Sequence, residues 1–185
     1  DRVDRQGGGL AIIHKNSLNC RILPPSHFQT FECMSVELTT SSTMNIRLNI
    51  TYHPPGQTNF FIEECIEFFT AQLISSDHII FLGDFNIHWG GMENHSLDTL
   101  SSFLNDNNLQ QHCLKPTHLK GATLDLIISN SPYLCTKDPI PVDWSDHLQI
   151  PFSLSCPTAK SSGQQKKEKT WFRDTTNLDI EALAN

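Results

Sequence analysis

The sequence predicts an α+β or α/β domain, in which helices lie outside a β-sheet core. Two features predict it. Short apolar runs with period-two alternation dominate the chain, and two stretches of period 3.6 fall between them. No internal repeat is visible. In chain order, residues 10–15 follow Gly7-Gly8-Gly9 and read as a short strand, and residues 31–38 as a second. Asn45–Tyr52 is the cleanest strand: Ile46, Leu48, Ile50 and Tyr52 point one way while Asn45, Arg47, Asn49 and Thr51 point the other. His53-Pro54-Pro55-Gly56 ends it, because consecutive prolines cannot continue a ladder. Residues 59–74 read as a helix with Ile62, Cys65, Ile66, Phe69 and Leu73 inward, Glu63, Glu64 and Glu67 outward, and Asn59 as N-cap. An apolar strand follows from His78 to Asp84. Residues 96–105 form a second amphipathic helix through Leu97, Leu100, Phe103 and Leu104, and residues 123–129 and 148–154 are further strands. Beyond Pro157 the composition turns rich in Ser, Gly, Gln and Lys, so residues 1–157 are expected to be one domain and residues 158–185 a flexible linker with the start of another segment.

A chain of 185 residues with 38% hydrophobic content fits a single domain. No apolar run approaches the roughly 18 residues of a membrane span. The sequence opens Asp1-Arg2-Val3-Asp4-Arg5, without a methionine or an apolar signal region, and reads as a cloning boundary, a gene-model boundary or a fragment. Six cysteines are scattered with no Cys-x-x-Cys pair, which suggests reduced thiols and a cytoplasmic or nuclear rather than secreted protein. The net charge of −7 is concentrated before Pro157, where 8 Lys/Arg face 16 Asp/Glu. Such acidity argues against tight non-specific binding to a phosphate backbone. A nuclease remains compatible, because site carboxylates are neutralised by their metal.

The residues able to do chemistry cluster at strand ends. The run His78-Ile79-Ile80-Phe81-Leu82 ends in Gly83-Asp84-Phe85-Asn86, which carries a carboxylate and an amide out of the sheet edge. An acid there can polarise water or bind a hard cation, and an amide can donate to a phosphate oxygen. Taken alone, Gly-Asp-x-Asn reads first as an Asx turn after a strand; the apolar strand before it raises the functional reading, because α/β active sites collect at the carboxyl ends of strands. Trp144-Ser145-Asp146-His147 places an acid and an imidazole before another apolar run. Asp125 interrupts the apolar stretch Leu124, Leu126, Ile127, Ile128; it is either an edge acid facing water or the carboxylate that orients His147. Tyr52 could offer its hydroxyl to a phosphate from the end of its strand. His112 and His118 show no metal-ligand spacing and read as surface or loop residues, and Gly7-Gly8-Gly9, lacking the lysine of a P-loop, reads as a turn.

In order, Tyr52, Gly83-Asp84-Phe85-Asn86, Thr123-Leu124-Asp125 and Ser145-Asp146-His147 resemble the endonuclease/exonuclease/phosphatase superfamily. Arg5-Gln6-Gly7-Gly8-Gly9-Leu10-Ala11-Ile12, Tyr52-His53-Pro54-Pro55-Gly56 and Lys115-Pro116-Thr117-His118 make the chain most similar to the apurinic-type endonuclease domain of LINE (non-LTR) retrotransposons. The resemblance implies a DNase I-like four-layer sandwich of two mixed sheets flanked by helices. It implies a Mg²⁺-dependent (or Mn²⁺-dependent) domain that nicks DNA and leaves a 3′-hydroxyl to prime reverse transcription by a downstream reverse transcriptase. By the same resemblance Asp84 orients or deprotonates water and Asn86 holds the phosphate. His147 stabilises the transition state with Asp125 behind it, Tyr52 contacts phosphate, Asp146 lies near the metal, and Thr117 and His118 lie near the DNA groove.

One departure matters. The family's first strands, carrying an asparagine and the principal metal-ligating glutamate, lie upstream of the Gly-rich segment, and this sequence starts just before that segment. The expectation is an endonuclease domain impaired by truncation. Two alternatives stand beside it: a superfamily phosphatase acting on phosphoinositides or sphingolipids, and a non-catalytic remnant or binding module.

Overall fold

The computed structural model describes residues 9–40, 44–56, 58–90 and 95–155. The elements are β1 (Asn19–Ile22), β2 (Glu32–Thr39), β3 (Asn45–Tyr52), α1 (Thr58–Leu73), β4 (Ile79–Asp84), α2 (His95–Asp106), β5 (Gln110–Gln111), β6 (Asp125–Ser129), β7 (Leu134–Thr136) and β8 (Phe152–Leu154). Six strands form one mixed sheet in the order β1-β2-β3-β4-β6-β5, and β7 and β8 form a second. The β3–β4 pair is parallel, joined through α1, while the other pairs of the large sheet are antiparallel. The α+β class expected from the sequence is the one observed. Among the described residues the smaller sheet is purely antiparallel rather than mixed.

Both faces of the large sheet are covered. On one, α1 delivers Phe61, Phe68 and Phe69 onto Phe81 and Phe85, with Leu100 and Leu104 of α2 completing the cluster. The rings of Phe69 and Phe81 stack with centroids 3.8 Å apart. On the other face Ile46, Ile80 and Ile127 meet Leu134, Phe152 and Leu154 of the small sheet. Asn49 and Thr51, on the polar side of the β3 alternation, are therefore fully enclosed beneath the helical layer. Asn49 accepts a hydrogen bond from Ser35 Oγ at 2.7 Å, which makes its burial tolerable.

Several expectations are corrected. Residues 10–15 form no strand; the edge is β1 instead, a mostly exposed segment held by its ladder to β2 rather than by apolar content. Asn59 lies inside α1, which begins at Thr58, and so is not its N-cap. Glu64 does not simply face water: its carboxylate accepts bonds from the Gln29 and Thr30 amides at 3.0 and 2.9 Å and from the Thr30 hydroxyl. The strand expected over 148–154 shortens to β8, because Leu148 and Gln149 bond to Thr117 and Ile140 and Pro151 has no N–H to donate. No disulfide links the described cysteines, and burial pushes the Cys33 thiol up to about 11. No helix of the described residues is long and apolar enough to cross a membrane. The proposed linker at 158–185 lies outside the described residues.

Gly83 sits in β4 with φ +142, and a Cβ there would overlap the Thr51 carbonyl oxygen of β3. Gly83→Ala should therefore destabilise by at least ~2 kcal/mol, read as a lower urea midpoint with an unchanged slope. Phe69→Ala, which empties the centre of the helix-side cluster, should cost about 3–5 kcal/mol in the same measurement.

Candidate active site

Strand direction assembles the site. Because β3 and β4 run parallel, their carboxyl ends emerge together, and β6, antiparallel to β4, starts at that same end. The register places Tyr52 beside Asp84 and Asp84 beside Asp125, one row on one face of three adjacent strands. Glu32 of β2 pairs with Tyr52 and extends the row by one strand. The sequence reading missed this alignment, since only pairing register reveals it.

Two loops close over the row. His118 and His147 form an isolated antiparallel bridge. Leu119 N–H donates to Asp146 O at 2.9 Å and Leu148 N–H to Thr117 O at 2.7 Å. His147 thereby reaches the strand ends: its Nδ1 lies 2.8 Å from Asp125 Oδ2 and its Nε2 4.0 Å from Asp84 Oδ2. The Asp125 carboxylate thus fixes the ring so that Nε2 faces Asp84. Asp84 in turn accepts the Asn86 backbone N–H on Oδ1 at 3.0 Å and the Asn86 side-chain amide on Oδ2 at 2.9 Å. That amide also donates to His53 O at 2.7 Å. Both amide protons of Asn86 are consequently spent within the protein, so in this structure Asn86 orients Asp84 instead of offering a donor to phosphate.

The remaining candidates separate. Thr117 is completely buried, and its hydroxyl accepts the Leu124 and Asp125 N–H groups at 3.0 Å each. It therefore sets the start of β6 and does not present itself to a DNA groove. His118 is mostly enclosed, not a surface residue, with a side chain 10% exposed. Its Nδ1 accepts Lys120 N–H at 3.1 Å, which puts the ring proton on Nε2, 3.1 Å from Asp146 Oδ2. His118 is thus a donor that holds Asp146. His53 is buried as well; the sequence reading placed it only in a strand-ending string and assigned it no role.

Electrostatics follow from this packing. Burial raises the Asp84 carboxyl above its ordinary range and the Asp125 charge raises it further, against the Asn86 bonds that lower it. Burial pulls the His147 imidazole down, but the bond and charge of Asp125, with the charges of Asp84 and Asp146, bring it out above its usual value. Asp146, held by its own backbone N–H and by His118, is lowered.

Two trios bring ligand atoms within 4.8 Å of one another: Asp84, Asp125 and His147, and His118, Asp146 and His147. The second is a poor cation site, because its His118 Nε2 carries a proton. The first fits a hard dication that keeps most of its water and takes one or two carboxylates. Beyond burial, the Asp125 charge raises Asp84 there, a repulsion that a cation would relieve.

In metal-free protein the His147 ring should titrate above 6.5 by NMR, and Asp125→Asn should lower that midpoint. With the folded value raised, this group's contribution to stability is complete below its unfolded pKa and is lost as pH rises through the folded one.

Residues 46–151 match the family described as Endonuclease-reverse transcriptase. Among solved structures, the endonuclease domain of TRAS1, a telomere-specific non-LTR retrotransposon, superposes with a TM-score of 0.59 at 19% identity, over 77% of this chain and 69% of that one. A mannosyl-6-phosphatase of Bacteroides thetaiotaomicron follows at 0.49 and 13%, covering 73% and 64%. TDP2 of D. rerio, complexed with single strand DNA product, follows at 0.48 and 14%, covering 72% and 67%. The chain thus spans about two thirds of the length of these structures, and at 19% identity the likeness to the TRAS1 domain shows the fold. No curated protein sequence matches the chain. The matched segment holds Tyr52, the Asp84–Asn86 turn, Asp125 and Asp146-His147 within one edge of the sheet, and the chain belongs to the endonuclease-reverse transcriptase family of the endonuclease/exonuclease/phosphatase superfamily.

Proposed function

We propose that this domain, spanning residues 1–157, hydrolyses a phosphodiester bond of DNA and nicks one strand. The 3′-hydroxyl so produced would prime a reverse transcriptase carried downstream in the same polyprotein, which makes chromosomal DNA in the nucleus its target. The observation that carries the reading is the relay Asp125–His147–Asp84 at the strand ends, with distances of 2.8 and 4.0 Å.

Asp84, raised by burial and gripped by both Asn86 donors, orients the attacking water and takes its proton. His147, protonated and braced by Asp125, donates from Nε2 to the phosphoryl oxygen as charge develops. Tyr52 stands in the same row and offers its hydroxyl to the phosphate. Asp84 and Asp125, with exposed Asp146 at the rim, are the groups to hold Mg²⁺ or Mn²⁺. The ion supplies neutralisation of the phosphate charge. The acidic balance of the chain makes that neutralisation more important than lysine or arginine contacts.

Incubated with supercoiled plasmid and Mg²⁺, the protein should produce nicked circles, and EDTA should stop it. A version extended upstream, run alongside, tests whether these residues suffice. Asp84→Ala and His147→Ala should each lower nicking by at least ~100-fold with unchanged circular dichroism. Undiminished nicking in either variant would sink the roles assigned here. Phosphate release from inositol phosphates without nicking would favour a phosphatase instead.

A further inference from the structure

All three residues of the Asp84-Phe85-Asn86 turn are tied to one residue outside it. His53 N–H donates to Asp84 O at 2.9 Å, the His53 ring Nδ1 lies 2.9 Å from Phe85 O, and Asn86 Nδ2 donates to His53 O at 2.7 Å. Since a carbonyl can only accept, Nδ1 carries the proton of that ring. The imidazole is 2% exposed and stacks on Phe61 of α1, with centroids 3.9 Å apart and planes 11° from parallel. Phe61 in turn meets Phe85 edge-on at 6.0 Å. His53 is therefore packed between the helical layer and the turn.

The turn needs such a clamp. Asn86 has φ +48, in the left-handed region that L-residues seldom occupy. Conformations of that kind persist where the surroundings over-determine them. The Asx bond from Asn86 N–H to Asp84 Oδ1 is local and would form in many turns. What distinguishes this one is the pair of long-range bonds to His53, made through its ring and through its carbonyl. Without the ring donor, the Phe85 carbonyl is buried unsatisfied, and the turn is free to rotate its amide away from Asp84.

We propose that His53 is a positioning residue: through its bonds to Phe85 and Asn86 it holds the Asn86 amide on Asp84 and so sets the aim of the Asp84 carboxylate. Any catalytic consequence rests on the phosphodiesterase reading above, whereas the clamp itself does not. His53 acts through its neighbours and touches no reacting atom. A Phe at this position keeps the stack on Phe61 and loses the donor. An Asn keeps a donor at the position of Nδ1 and loses the stack.

The test compares the whole chain with His53→Phe and His53→Asn. In ¹H–¹⁵N spectra the Asn86 side-chain amide protons should exchange with water about 10-fold faster in His53→Phe and return toward wild type in His53→Asn. In plasmid nicking, His53→Phe should lose ~10-fold or more in kcat with KM within about twofold and little change in melting midpoint, and His53→Asn should recover most of it. An Asn86 amide indifferent to both variants overturns the inference. So does a loss of nicking that merely tracks the loss of folded protein and that His53→Asn does not rescue. A wild-type chain that never nicks, with an Asn86 amide that still responds, refutes the phosphodiesterase reading and leaves the clamp standing.

Discussion

The parallel pairing of β3 with β4 is the constraint on which the rest of the molecule depends. A parallel pair needs a crossover, so α1 must pack across the sheet, and α1 then carries the aromatic cluster that buries one face. The same pairing brings two strand ends to one edge and sets Tyr52 beside Asp84. Gly83 permits it: the backbone of β4 approaches Thr51 too closely for any side chain. With β6 antiparallel on the far side, Asp125 falls into the same row. A slip of one residue in either register would turn one member of the row to the other face of the sheet.

Around that row the structure spends hydrogen bonds on loops that carry no regular structure. Thr117 caps the entry to β6 with one hydroxyl and two backbone donors, while its own backbone anchors Leu148. His118 secures Asp146, and Asp125 secures His147. Polar groups that looked like ligand contacts are thus largely occupied with holding other polar groups. This is the general behaviour of buried polar atoms, which need partners more than they need exposure. It leaves the side chains of Asp84 and His147 partly exposed and that of Asp146 largely so.

The electrostatic logic is coherent with the composition. Sixteen acids against eight bases before Pro157 leave little positive field to gather a polyanion. Mutual repulsion among Asp84 and Asp125 instead favours a cation, and, against burial, the same acids bring the His147 imidazole out above its usual value.

Much of this was legible from residues alone. The alternation of Asn45–Tyr52 located β3 to the residue, the 3.6 period located both helices within one or two positions, and the Gly-Asp-x-Asn, Leu-Asp-Leu and Ser-Asp-His strings named the groups that meet. Local pattern suffices where hydrophobic periodicity and side-chain chemistry coincide. β1, β5 and β7 were invisible, because short edge segments exist only through ladders to distant partners. The functions of Thr117, His118 and His53 were equally hidden: whether a hydroxyl or imidazole faces solvent or clamps a backbone depends on what packs against it. By itself the sequence determined the α+β class and which titratable side chains meet at the strand ends. Tertiary structure alone decided which donors remain free and where each carboxylate points, because hydrogen-bond partners are chosen across the sheet and not along the chain.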